Sequence, residues 1–134
     1  MSAKKILVPT SGYLAAKERV DTILDVASRL NAEVEVVHIR DPSVFVATTQ
    51  ESEGWEALKF FEEKGREVGV KVISYYTSGE LVPSLLRFAC EHDVDLILMG
   101  SSSGRVIAEW IMSDIIEECD IPVLIIPQDL SDIF

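Results

Sequence analysis

The stretch Asp95–Leu96–Ile97–Leu98–Met99–Gly100–Ser101–Ser102–Ser103–Gly104–Arg105 decides the fold. Its first half is a short apolar run of the kind a strand buried on both faces requires; its second half breaks into glycine and serine before a helical pattern resumes. That pattern is Ile107, Ile111, Ile115 and Cys119, with Ala108 and Met112 beside them. A strand that feeds a small-residue loop and then a helix is the β-loop-α junction of an α/β protein. At such a junction backbone N–H groups converge, and the first helical turn adds unpaired donors and a positive dipole end, which together suit an anion. Ser101, Ser102 and Ser103 would add hydroxyls, and Arg105 a charge. The same residue types also serve caps and tight turns where nothing binds, so the loop alone leaves both readings open.

Outward from this junction the chain repeats the same alternation. Lys5–Val8, Glu33–Ile39, Val70–Tyr76, Leu96–Met99 and Val123–Ile126 read as strands. Between them, Ala16, Val20, Ile23, Leu24, Ala27 and Leu30 make one helical stripe, and Trp55, Leu58, Phe61, Gly65 and Val68 a second. A third is Val82, Leu85, Leu86 and Ala89, with Pro83 tolerated in a first turn. Regular β-α alternation predicts a parallel, doubly wound sheet with right-handed crossovers and helices on both faces. Asp41–Gln50 is the longest irregular stretch, a connector that packs on its own domain, covers a cleft or meets a partner.

The 134 residues suffice for one domain with a real core, and no repeat divides them. A net charge of −11 repels nucleic acid and anionic membranes, so neither is an expected partner. Cys90 and Cys119 lack metal-ligand spacing and read as buried free thiols. The first residues contain no apolar signal core, and no run of about 18 apolar residues is present. The expected location is the cytoplasm.

In an open α/β sheet the ligand crevice opens beyond the strand C-termini where strand order reverses. For the order 3-2-1-4-5 that point lies between the loops after strands one and four. These are Pro9–Thr10–Ser11–Gly12 and Gly100–Gly104, the two loops richest in Gly, Ser and Thr.

With these loops placed, the chain resembles the universal stress protein family over nearly its whole length. The resemblance is carried by Lys4–Lys5–Ile6–Leu7–Val8–Pro9–Thr10, Val36–Val37–His38–Ile39, Asp95–Leu96–Ile97–Leu98–Met99–Gly100–Ser101 and Ile121–Pro122–Val123–Leu124–Ile125–Ile126–Pro127. It implies a universal stress protein-like domain over residues 1–127 with a short tail at 128–134. The implied fold is a single-domain, five-stranded parallel sheet of order 3-2-1-4-5 (Rossmann-like, adenine nucleotide alpha hydrolase-like). It further implies a homodimer through the Val123–Ile126 edge strand, whose open edge would otherwise invite pairing.

By the same resemblance, ATP or AMP with magnesium would lie on Pro9, Thr10, Ser11, Ile39, Met99, Gly100, Ser101, Ser103, Gly104 and Arg105. No cofactor is implied with certainty, because the chain departs from the family pattern. Ser11 stands where an acidic residue is expected, and Ile39 replaces a valine. In the motif G-x-x-G-x9-G-[ST], Gly100 matches, Ser103 takes the second glycine's place, and Gly104 follows one residue late. The segment is a few residues short, so either Glu109–Trp110 or Met112–Ser113 falls on the final pair. Glu109 near phosphates would cost about 1–4 kcal/mol at roughly 4 Å. The expectation is therefore a non-catalytic stress-response or signalling module with a weakened or lost nucleotide site and an unknown protein partner. An ATP-, AMP- or phosphate-binding sensor on Gly100–Gly104 is the alternative. A flavodoxin-like cofactor binder using Thr10–Ser11–Gly12 is the third.

Catalysis would need a nucleophile beside a base, or paired carboxylates. His38 ends a strand with no evident partner, and His92 ends a helix where its charge would meet the dipole. Core packing accounts for Trp55 and Phe61, while Phe60 is expected at a surface contact. The acidic runs Glu51–Glu53 and Glu62–Glu63 read as solvated helix faces.

Overall fold

Strand β1 (Lys4–Pro9) lies at the centre of the sheet, with β2 (Ala32–Arg40) on one side and β4 (Leu96–Gly100) on the other. β3 (Val72–Ser78) flanks β2 and β5 (Val123–Ile126) flanks β4, giving the order β3-β2-β1-β4-β5. Every pairing is parallel, with Val8 opposite Val36, Ile6 opposite Leu96, Val36 opposite Ser74 and Met99 opposite Ile125. The computed structural model describes residues 4–10, 13–40, 50–100 and 121–126. The strand-and-helix expectation for this part of the chain holds. The fourth helical stripe (Ile107 to Cys119), the connector at 41–49 and the tail lie outside the described residues. Gln50, read as connector, is the first residue of α2 (Gln50–Val68).

The sheet is buried on both faces because alternate residues of the central strands are apolar in both directions. Ile6, Val8, Val34, Val36 and Leu98 meet α1 (Tyr13–Arg29) and α2 through Val20, Ile23, Leu24, Ala27, Leu58 and Phe61. Leu7, Val37, Ile39, Ile97 and Met99 meet α3 (Leu81–Glu91) through Leu85, Leu86 and Ala89. Each of α1, α2 and α3 ends near a residue with positive φ, namely Asn31 (54°), Gly69 (76°) and Asp93 (52°), which turns the chain toward the next strand. At Gly65 a Cβ would run into the Val72 side chain and lie 2.8 Å from the Val70 carbonyl oxygen, so only glycine lets α2 approach β3 this closely.

Two apolar assignments change. Trp55 is not core: it is 55% exposed and stacks on Tyr76, with ring centroids 4.6 Å apart and planes within 7°. Phe60 is half-buried against the core rather than standing at the surface. Leu30 and Val68, at the ends of their stripes, are exposed too.

Phe61 is 1% exposed and among the largest fully buried side chains. Phe61→Ala should lower unfolding free energy by about 3–5 kcal/mol. Val68→Ala, on the same helix but 58% exposed, should change it by less than about 0.5 kcal/mol. Urea denaturation of the two variants checks the contrast.

Candidate functional site

The chain leaves β1 toward β2 and later returns past it to β4, so the reversal of strand order falls between β1 and β4. Thr10 and Gly100 mark the C-terminal ends of these two strands. Thr10 is buried and its backbone is engaged at both ends: its N–H donates to the Val37 carbonyl at 2.9 Å, and its carbonyl accepts from His38 Nδ1, also at 2.9 Å. A carbonyl can only accept, so Nδ1 carries the proton. His38 is 1% exposed, and its ring faces Tyr76 at 5.2 Å. Far from lacking a partner, His38 clamps the exit of β1 to the end of β2.

The clamp depends on a second glycine. A Cβ on Gly54 would stand 2.6 Å from His38 Nε2 and 2.9 Å from Cγ, so α2 can cross the imidazole only with hydrogen at that position. Gly54, Tyr76 and exposed Trp55 were not anticipated as neighbours of the site. The polar His38 interrupting the apolar run Val34–Ile39 was the signal that a buried partner had to exist.

Of the ten anticipated site residues, Pro9, Thr10, Ile39, Met99 and Gly100 are described. Pro9 closes β1 opposite Val37, and Gly100 closes β4 opposite Ile126. Ile39 (3% exposed) and Met99 (4%) share one apolar cluster under α3, so little of either side chain is open to a ligand. Ser11, Ser101, Ser103, Gly104 and Arg105 lie outside the described residues.

A second polar cluster sits at the opposite, N-terminal edge of the sheet. Glu35, in the middle of β2, is 3% exposed. His92, at the C-terminal cap of α3, places Nδ1 3.3 Å from Glu35 Oε2 and donates to Oε1 across a long 3.4 Å. Oε2 itself has no hydrogen-bond partner among the described residues. The imidazole stacks on Phe88 at 3.8 Å and meets the edge of Tyr75 at 5.1 Å, and Lys5 Nζ donates to the His92 carbonyl at 3.2 Å. His92 thus ties α3 to β2. Burial first, then the charges of Glu35 and Glu33, push the Tyr75 phenol above its ordinary value of 10.0. Beside this cluster, Cys90 corrects the reading of a buried free thiol, being exposed and disulfide-bonded.

The model of the universal stress protein family matches residues 2–127, nearly the whole chain. The chain belongs to the universal stress protein family. It is 28% identical to universal stress protein MJ0531 of Methanocaldococcus jannaschii, over 92% of this chain and 81% of that one. Among solved structures, a universal stress protein family member from Burkholderia pseudomallei superposes with a TM-score of 0.74 at 25% identity, covering 92% of this chain and 96% of that one. The universal stress protein of Archaeoglobus fulgidus, solved in complex with dAMP, superposes with a TM-score of 0.66 at 18% identity, covering 92% and 97%. The five-stranded order is thus that of the universal stress protein fold. Among the described residues, no helix is long and apolar enough to cross a membrane.

Gly54→Val should push the His38 ring off Thr10 and cost about 1–3 kcal/mol; chemical denaturation gives the loss, and the Nδ1 proton resonance of His38 should shift or vanish. Tyr75 gives a pH test. Its proton is held more tightly in the folded chain, so above pH 10.0 the unfolded chain releases it first and stability falls. Tyr75→Phe should flatten that alkaline fall, as read by thermal melts across the range.

Proposed function

We propose that this universal stress protein is a non-catalytic, homodimeric stress-response or signalling module whose adenine-nucleotide site is weakened and whose output is a protein contact. The reading rests chiefly on Thr10. Both of its backbone polar groups are engaged within the fold, and the next residue, Ser11, brings no carboxylate to accept a ribose hydroxyl. On the β4 side the expected donors are those of Gly100, Ser101, Ser103, Gly104 and Arg105, which suit a phosphate better than a whole nucleotide. Ile39 and Met99, buried under α3, offer an adenine ring little wall. His38, 1% exposed with α2 passing over its Nε2 face at Gly54, and His92, paired with Glu35 at the opposite edge of the sheet, are both placed for the fold rather than for proton transfer at the β1–β4 reversal.

The dimer reading is supported by β5, the outer strand of the sheet. Leu124 on it is 46% exposed, an apolar side chain on a strand whose outer edge is unpaired among the described residues. The alternative, a nucleotide sensor, is favoured by the dAMP complex of the Archaeoglobus fulgidus structure. For either reading the residues nearest the ligand are those flanking the β1–β4 reversal.

Calorimetric titration with ATP, AMP and inorganic phosphate, with and without magnesium, separates the two. Dissociation constants weaker than about 100 μM are expected, whereas about 1 μM or tighter for ATP or AMP would replace this proposal with the sensor. Leu124→Glu should convert dimer to monomer in analytical ultracentrifugation; an unchanged dimer would remove β5 as the contact.

A further inference from the structure

Among the described residues β3 is the outermost strand on its side of the sheet, at the opposite edge from β5. The direction of its backbone groups is fixed at both ends. The Lys71 carbonyl accepts from the Val34 N–H at 2.9 Å, the Gly79 N–H donates to the Arg40 carbonyl at 3.0 Å, and the register between them is unbroken. Residues 73, 75 and 77 therefore turn their N–H and C=O toward β2, while Val72, Ser74, Tyr76 and Ser78 turn theirs outward. An outward row of this kind is a template for another strand, which proteins commonly blunt with charge or proline. None of the seven residues of β3 is charged or proline.

We propose that this edge is an interaction surface for a second copy of the chain, β3 pairing antiparallel with β3 about a two-fold axis through Ser74. The run Val72–Ile73–Ser74–Tyr75–Tyr76 complements itself in that register. Ser74 meets Ser74 of the second copy, Val72 meets Tyr76 on one face, and Ile73 meets Tyr75 on the other. The last two set a β-branched residue against an aromatic, a favourable cross-strand pair. Moving the axis to Ile73 or to Tyr75 would set Val72 against Ser74 or Ser78 and lose the match.

The helix above β3 carries the same symmetry. α2 runs antiparallel to β3: Trp55 stacks on Tyr76, Glu62 accepts from the Ser74 hydroxyl at 2.7 Å, and Gly65 lies against Val72. Trp55, Lys59, Glu62 and Arg66 share one flank of α2 by helical spacing, the flank above this edge. Trp55, Lys59 and Arg66 are exposed and Glu62 is half-buried. Since Trp55 is level with Tyr76 and Gly65 with Val72, Ser74 is level with the part of α2 between Lys59 and Glu62. The two-fold therefore brings Lys59 to Glu62 of the second copy and Trp55 to its Arg66, an ion pair and a cation–π contact, each made twice. The charge of −11 on each copy opposes approach at long range, so the contact is weak. It goes beyond the proposed β5 dimer and does not depend on nucleotide; where both edges pair, sheets join end to end into rows.

Sedimentation equilibrium from about 10 μM to about 500 μM reads a contact of this size. The mean mass should rise across that range in wild-type and Leu124→Glu chains alike, so the test stands apart from the β5 contact. Ser74→Lys, which opposes two cations on the axis, should abolish the rise; Ser74→Ala, which removes the same hydroxyl without adding charge, should keep it. Lys59→Glu should weaken the contact about tenfold, and Lys59→Glu/Glu62→Lys should restore it. By NMR the outward Ser74 amide should exchange several-fold more slowly at the high concentration. The Tyr75 amide, turned toward β2, should stay protected at every concentration and in every variant, which also shows that the variants are folded. A mass that stays constant over the whole range would overturn the contact and leave the edge to a strand from a different protein. A rise that Ser74→Lys does not touch would remove β3 from the contact, and a loss in Lys59→Glu that the double variant does not restore would overturn the pairing along α2.

Discussion

Strand β1 must be covered on both faces at once, and the rest of the structure follows from that constraint. Ile6, Leu7 and Val8 are consecutive, so their side chains alternate between the two sides of the sheet, and all three are buried. One layer of helices can cover only one face. The chain therefore lays α1 and α2 over Ile6 and Val8, then returns over Leu7 with α3. A parallel sheet wound first one way and then the other has a point where its crossovers part, and here that point is the C-terminal end of β1. The candidate site is thus a by-product of burying a short apolar strand.

Charged and polar groups inside the sheet lock this arrangement at its two ends. At the C-terminal edge, His38 joins Thr10 to the end of β2 while Gly54 allows α2 to pass over its ring. At the N-terminal edge, Glu35 and His92 join β2 to the end of α3, and the Lys5 backbone N–H donates to Asp95 Oδ2 at 2.8 Å, joining β1 to the start of β4. Removing half-buried His92 leaves the buried Glu35 carboxylate without that partner, which costs more than the pair contributes. Both histidines are therefore positioning groups of the fold, one of them directly beneath the candidate site.

The sheet was legible in the sequence because burial on two faces leaves a simple mark: short β-branched and aliphatic runs between helical stripes. Strand limits differ from the expected ones by no more than two residues at either end. Trp55 was misassigned for a physical reason. Helical periodicity tells which side of α2 faces the sheet but not how far the sheet extends, and Trp55 stacks on Tyr76 of β3, the outermost strand on that side among the described residues. Leu30 and Val68 sit at the ends of their helical stripes and are exposed. Pairings between distant residues, such as Glu35 with His92 or the bond at Cys90, leave no local pattern, and composition alone cannot supply them.

The most direct test of the account is the nucleotide content of freshly purified protein, released by denaturation and quantified by chromatography against protein concentration. A site whose β1 side lacks a carboxylate, and whose Thr10 backbone is already engaged, predicts well under one adenine nucleotide per ten chains. One ATP or AMP per chain would contradict it and make the β1–β4 reversal a working nucleotide site.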